Sequence, residues 1–229
     1  MISNKFPKLV RKIKKIKKKF NKFDKKVRKG IYLRFDVDIS IKNALQISKF
    51  LKREKIAGNF FFQPNNEIYN IFNKDNKKII NQIKKDGHLI GLHIDENFFS
   101  INEKDILTTI NFFRENGYRF SNVISFHRPS NRVLKKKYKN IVNTYEEKFF
   151  NKDIYISDSG KNPFFEKRID NFLRQNKKTI QILLHPVWWT NIRTTKNIYL
   201  AIKKNVFQNL NNYLIDNFSK VFGKYILKK

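Results

Sequence analysis

From residue 31 onward the apolar positions switch repeatedly between two periods. The short runs Ile31–Asp38, Asn59–Gln63, His88–His93, Val123–His127, Tyr155–Ser157 and Thr179–His185 are almost continuously apolar and predict β-strands. Between them, Ile41–Lys55, Lys77–Lys85, Asp105–Asn116 and Phe164–Gln175 carry apolar residues every three or four positions and predict helices, with Gly87 and Gly117 as stops. Strands separated by helices of this length imply βαβ units and a parallel sheet, an α/β fold. No internal repeat or low-complexity linker interrupts residues 31–229.

Residues 1–29 follow another pattern. Phe6, Leu9, Val10, Ile13, Ile16, Phe20, Phe23 and Val27 recur at helical spacing, Lys and Arg fill nearly every other place, and Asp24 is the only acid. This predicts a basic amphipathic helix over residues 1–29, ended by Gly30 and followed by a domain of residues 30–229. Such a helix either lies in the interface of an anionic membrane, each basic residue contributing about 1 kcal/mol, or packs its apolar stripe on the domain.

In the first predicted strand Asp36 and Asp38 stand two residues apart and share a face. Two convergent carboxylates in an apolar run are costly unless a cation or a proton holds them, so the pair reads as a metal ligand beside a general base. The four histidines, His88, His93, His127 and His185, each lie in or at the end of a predicted strand. Asp36, Asp38, His93, His127 and His185 all fall at carboxyl ends, the edge at which parallel α/β folds build their sites. His88 precedes His93 by five residues, about 16 Å along an extended strand and on the other face, and reads as structural.

Composition narrows the classes. At 229 residues the chain is one domain of ordinary size, short for a full eight-fold barrel. The absence of Cys excludes a disulfide framework and thiolate metal sites. The 50 Lys and Arg against 19 Asp and Glu set the formal charge at +31, a balance that ordinarily points to nucleic acid or an anionic membrane. The excess is mostly Lys and travels with abundant Asn, Ile and Phe, as an AT-rich coding sequence would produce. The Phe residues also sit in apolar strands rather than among surface lysines, so no specific nucleic acid is expected. No apolar run reaches transmembrane length and no apolar core follows the basic start. The expected location is the cytoplasm, with residues 1–29 as the peripheral contact at the inner membrane surface on the membrane reading of that helix.

Taken in order, Phe35-Asp36-Val37-Asp38, Asn59-Phe60-Phe61-Phe62, Gly87-His88-Leu89-Ile90-Gly91-Leu92-His93, Arg128-Pro129, Ser157-Asp158-Ser159 and Leu183-Leu184-His185 resemble the polysaccharide deacetylases of the NodB-homology type, carbohydrate esterase family 4. The resemblance spans residues 31–190 and is closest to the divergent WbmS-like branch associated with surface-polysaccharide gene clusters. It implies a distorted (β/α) barrel of about seven parallel strands, one divalent cation such as zinc, and hydrolysis of N-acetyl groups on amino sugars. Carried over by position, the general base falls on Asp36 and the metal-binding Asp on Asp38, with Val37 between them where the family has the two adjacent. His93 takes the place of the first metal histidine. The second would stand four residues on, where this chain has Asn97, a poor substitute for imidazole on zinc. The third ligand is therefore open among Asn97, Asp95, Glu96 and His127.

Arg128 matches the arginine that orients the catalytic carboxylate, Asp158 the acid that positions the catalytic histidine, and His185 the general acid. Their plain counterparts are a solvent-facing loop arginine for Arg128, a turn aspartate ahead of Gly160 for Asp158, and a hydrogen-bonded core residue for His127. Trp188 and Trp189, just after His185, suit a sugar face or simple packing. The implied reaction is metal-assisted hydrolysis of an N-acyl group on an amino sugar of a surface polysaccharide or its precursor. Replacement of the second metal histidine also fits a protein of the same fold with altered amide chemistry on a sugar, or one that binds glycan without catalysis.

Overall fold

The computed structural model describes residues 2–162, 164–192 and 194–226. The chain falls into two compact units, Met1–Asn191 and Ile192–Lys229. The first opens with helix α1 (Lys5–Lys15) and continues β1 (Gly30–Val37), α2 (Ile41–Arg53), β2 (Asn59–Phe62), α3 (Lys74–Lys85), β3 (Leu89–Asp95), α4 (Glu103–Glu115), β4 (Val123–His127), β5 (Val142–Asn143), β6 (Tyr155–Ser157), α5 (Phe165–Arg174) and β7 (Thr179–Leu184). The second holds helix α6 (Thr195–Ile226), kinked at Phe218.

The seven strands form one sheet in the order β5-β4-β3-β2-β1-β7-β6, every pair parallel. Successive side chains alternate between its faces. Ile31, Leu33, Phe35 and Val37 of β1 join Phe60, Phe62, Leu92 and Ile182 in the main core, beneath the apolar stripes of the helices. On the other face Tyr32, Phe61, Leu89, Val123 and Val142 form a smaller cluster with Phe23 and Phe149, near the amino ends of the strands. A flat sheet would hold β1 and β4, three strands apart, about 14 Å from each other. Arg34 on β1 nevertheless donates to Ser125 on β4 at 2.5 Å, so the sheet curls around this second face as the predicted distorted (β/α) barrel. Gly91 makes room for the curl, because a Cβ there would lie 2.3 Å from the Val123 carbonyl oxygen and 2.8 Å from the Phe61 ring.

The predicted strands and helices from residue 31 to 184 are present, with ends displaced by a few residues at most. Gly87 and Gly117 follow α3 and α4 with positive φ, as stops should. The N-terminal segment differs. Its helix ends at Lys15, and Lys17 turns the chain with φ 51°. An unbroken helix of 29 residues would run about 44 Å and carry Phe20 and Phe23 away from the sheet. Instead Phe20 bridges to Ile31, and Phe23 enters the smaller cluster against Tyr32 and Phe149. Gly30 is consequently not a helix stop. It opens β1 with φ 137° where a Cβ would overlap the Lys19 carbonyl oxygen. Phe6, Leu9, Val10 and Ile13 of α1 are buried in the main core, and Lys5, Lys12 and Lys14 pair with Glu166, Asp170 and Glu54 of the flanking elements. The apolar stripe of this helix thus covers the domain.

Candidate active site

At the carboxyl end of β1, alternation aims Arg34, Asp36 and Asp38 toward the concave face. Arg34 is fully buried, and its guanidinium donates from Nε and Nη2 to the two oxygens of Asp36 at 2.9 and 2.6 Å. It also donates to Ser125 Oγ and to Tyr145 Oη at 2.5 and 2.9 Å, and lies 4.4 Å from the Tyr145 ring centre. A buried guanidinium and carboxylate are tolerable only as such a bidentate, fully bonded pair. Burial pushes the Asp36 carboxyl up, but Arg34 and then His93 hold it below the usual carboxylate range.

The register sets His93 of β3 beside Ser125 of β4, and Asp95 beside His127. His93 and His127 therefore point to the same face from adjacent strands. His93 Nε2 lies 3.2 Å from Asp38 Oδ1, 3.3 Å from His127 Nδ1 and 3.6 Å from Asp36 Oδ2, while His127 Nδ1 lies 3.7 Å from Asp38 Oδ1. His93 Nδ1 is 2.8 Å from Ser125 Oγ. The assignment that satisfies the network has Nδ1–H donating to Ser125 Oγ, which in turn donates to Asp36, and it leaves the Nε2 lone pair facing Asp38 and His127. Asp38 Oδ1, His93 Nε2 and His127 Nδ1 thus converge, and with the His127 proton on Nε2 all three lone pairs are available to a cation.

A tetrahedral ion with bonds of about 2.0–2.1 Å spaces its ligands about 3.3–3.4 Å apart, close to the separations found. Asp38, His93 and His127 are thus a donor set that fits a divalent ion such as zinc. With no ion bound and a proton on His93 Nε2 instead, burial raises the Asp38 carboxyl, but the hydrogen bond and charge of His93, then His185 and His127, lower it well below its ordinary value. Gln63 Nε2 donates to Asp38 Oδ1 at 3.4 Å, and Asn66 Nδ2 donates to the Asp38 carbonyl at 2.8 Å, anchoring the loop after β1.

His185 follows β7, the strand on the other side of β1. Its Nδ1 lies 2.6 Å from Asp158 Oδ1, and its backbone N–H also donates to Asp158. Asp158, buried just past β6, further accepts from Trp189 Nε1 at 2.7 Å. This clamp turns His185 Nε2 toward Asp38 Oδ2, 3.6 Å away. Burial alone would lower the His185 pKa; the bond to Asp158 and its charge raise it to about 9. His185, His127 and Asp38 keep side-chain exposures of 14%, 21% and 23%, so the cluster opens to solvent while Asp36 and His93 form its floor.

Asp36, Asp38, His93, His127, His185 and Asp158 therefore meet in one place. Arg128 does not join them. It is exposed in the loop after β4 with φ 47°, and the guanidinium on Asp36 belongs to Arg34. Asp95, Glu96 and Asn97 also stay apart from the cluster. Exposed Asn97 donates to Asp95 Oδ1, and Glu96 accepts from Ser130 and Arg132 of the neighbouring loop. His88 accepts from the Gly58 N–H and meets the Ser48 carbonyl at 2.9 Å, a structural role. Arg34 and Ser125 are the residues that sequence reasoning missed. Each is polar within an apolar strand and shares the parity of a suspected site residue, Arg34 with Asp36 and Ser125 with His127, which is the signal that pointed to them.

No family model and no curated protein matches the chain. Among solved structures it is similar to PdaA, a family 4 carbohydrate esterase of Bacillus subtilis, at 17% identity and a TM-score of 0.46, over 88% of this chain and 84% of that one. It is similar to the chitin deacetylase of Colletotrichum lindemuthianum at 14% identity and 0.46, over 78% and 84%. It is also similar to a pseudoenzyme of the same esterase family from Bacillus anthracis at 13% identity and 0.46, over 80% and 62%.

Proposed function

We propose that the chain hydrolyses an N-acyl group, acetyl in the simplest case, from an amino sugar of a surface polysaccharide or its precursor. The observation that carries this reading is the pair of oriented groups facing one another across the Asp38, His93 and His127 cluster: Asp36 locked by Arg34, and His185 locked by Asp158. One divalent cation, zinc by its donor set, would be held by Asp38, His93 and His127 and would supply Lewis acidity toward the acyl oxygen. Asp36 stays ionised and accepts a proton from the attacking water as the new C–O bond forms. His185, protonated near neutral pH, passes its Nε2 proton to the departing amine as the C–N bond breaks, releasing carboxylate and free amino sugar. Asp158 and Trp189 hold the imidazole so that Nε2 rather than Nδ1 faces the substrate.

The surface-glycan substrate follows from the resemblance of the chain's motifs to the WbmS-like branch. Incubation of the metal-loaded protein with oligomers of N-acetylglucosamine, scored by acetate release, is the direct test. Asp36→Asn and His185→Ala should each lower the rate by about 10²–10⁴. Wild-type rates in both variants would discard the mechanism. Glycan binding without acetate release would favour the non-catalytic alternative.

A further inference from the structure

The candidate active site uses none of the basic residues of the N-terminal segment, and the fold gathers several of them at the opposite end of the sheet. After α1 the chain crosses the amino ends of the strands. There a cavity of about 390 Å³ is lined by Lys19, Lys22, Arg28 and Lys84, with Ser121 just before β4. A second, of about 240 Å³, shares Lys19 and adds Lys18, Lys29 and Lys178. One carboxylate, Asp24, stands among these seven cations, and it already faces Arg28 at 3.6 Å. Among the described residues the six lysines have no carboxylate partner.

This is not a loose basic tail. Ile31 donates its N–H to the Lys19 carbonyl and accepts from the Asn21 N–H, both at 2.8 Å. Buried Asn21 donates Nδ2 to the Lys29 carbonyl at 3.0 Å, buried Asn59 accepts from the Phe23 N–H at 3.0 Å, and buried Tyr32 Oη accepts from the Arg28 N–H at 2.8 Å. These side chains fix the loop that carries Lys19, Lys22, Arg28 and Lys29, and cations held in place bind at a lower ordering cost than mobile ones. Lys84 reaches the same cavity from the end of α3, half-buried, with Nζ donating to Ser121 Oγ at 3.4 Å. Burial holds its pKa below the usual lysine range, and the charges of Lys22, Arg114 and Arg119 push it the same way. An anion among these groups would relieve both their repulsion and the cost of burying the ammonium.

A concave surface of one sign focuses its field on such a ligand. The larger volume lies within the range of about 300–1,000 Å³ typical of small-molecule sites. Several fixed cations beside a hydroxyl suit a phosphoryl group, with a charge of about −1.5 to −2 and three acceptor oxygens, better than a single carboxylate. Along β1 Gly30 lies about 20 Å from Asp36, so a ligand at this end does not meet the reacting groups.

We propose that the amino-terminal face of the sheet is a phosphate-binding site, in which Lys22 and Lys84, with Lys19 and Arg28, hold the phosphoryl group of a soluble phosphate ester or of a lipid headgroup. The site stands apart from the proposed reaction and does not depend on it.

The test is calorimetric titration of the full chain with pyrophosphate. Wild type should bind it saturably, and more weakly as salt rises. Lys22→Ala with Lys84→Ala is compared with Lys42→Ala with Lys104→Ala, which removes the same charge from exposed positions in the first turns of α2 and α4, near the carboxyl end of the sheet. The cavity pair should weaken binding about tenfold more than the control pair, as loss of charge-assisted hydrogen bonds does. A measurement on the wild type alone covers the case of a misfolded variant: pyrophosphate should slow acetylation of Lys22 and Lys84, read by mass spectrometry, and leave Lys42 and Lys104 unchanged. Vesicles of phosphatidylcholine mixed with phosphatidylglycerol separate the two sources. Sedimentation that pyrophosphate reverses and the cavity pair loses assigns the site to a lipid headgroup, whereas pyrophosphate binding without sedimentation assigns it to a soluble ester. Absence of saturable pyrophosphate binding, equal losses in the two pairs, or protection spread evenly over all four lysines would overturn the proposal.

Discussion

Replacing Arg34 by Met removes the buried, permanently charged partner of Asp36. The substitution keeps much of the aliphatic volume but leaves a carboxyl that is 2% exposed without its bidentate partner. Breaking a buried pair from one side costs about 3–5 kcal/mol, and for a chain of this size each kcal/mol moves Tm by about 2–4 °C, so a fall of about 6–20 °C is expected. In the wild type the Asp36 pKa is depressed, so its contribution is present above the unfolded value of about 3.9 and is lost as pH falls through the folded value. Without Arg34, burial dominates and the folded pKa rises above the unfolded one. Stability of the variant is then retained at low pH and lost as pH rises past about 3.9. Urea unfolding followed by circular dichroism at pH 4 and pH 7 should therefore show the larger deficit at pH 7. Arg34→Met with Asp36→Leu, which removes both partners, should recover most of it. A deficit below about 1 kcal/mol at pH 7, or one that does not change with pH, would refute the view that Arg34 holds Asp36 ionised.

Mass-spectrometric metal analysis should find about one divalent ion per chain, lost in Asp38→Ala, His93→Ala and His127→Ala and retained in Asn97→Ala; the reverse behaviour of the last two would reassign the third ligand. Asp158→Asn removes the charge that raises the His185 pKa to about 9, so the basic limb of the pH–rate profile should move down toward the ordinary imidazole value of about 6.5 or below it. A limb that stays in place would separate that limb from His185. Phe6→Ala, which empties contacts with Phe35, Phe50 and Trp189, should cost about 3–5 kcal/mol in urea unfolding. A loss below about 1 kcal/mol would show that α1 is dispensable to the core.

What the sequence determined by itself is local and periodic. Continuous apolar runs specified strands buried on both faces, helical spacing specified the crossovers, and their alternation specified a parallel sheet, because both periods follow from backbone geometry over a few residues. The same parity placed Asp36 and Asp38 on one face and His88 away from His93. Two-residue β5 carries too little pattern to be seen, and α6 intersperses Lys and Asn among its apolar residues, which leaves no stripe to read. Only the tertiary structure decided which side chains meet. Arg34 rather than Arg128 reaches Asp36 because curling brings the β1, β4 and β7 side chains to one point, and the exposed loop after β4 turns Arg128 outward. His127 rather than Asn97 completes the cluster because β4 lies beside β3 in a register that aligns Ser125 with His93, whereas Asn97 falls in the turn beyond the strand. The amphipathic pattern of residues 1–29 was legible but its partner was not, since a helix stripe has the same period whether it faces a lipid surface or a protein core. Strand order, curl and register join residues tens of positions apart, and no local period encodes them.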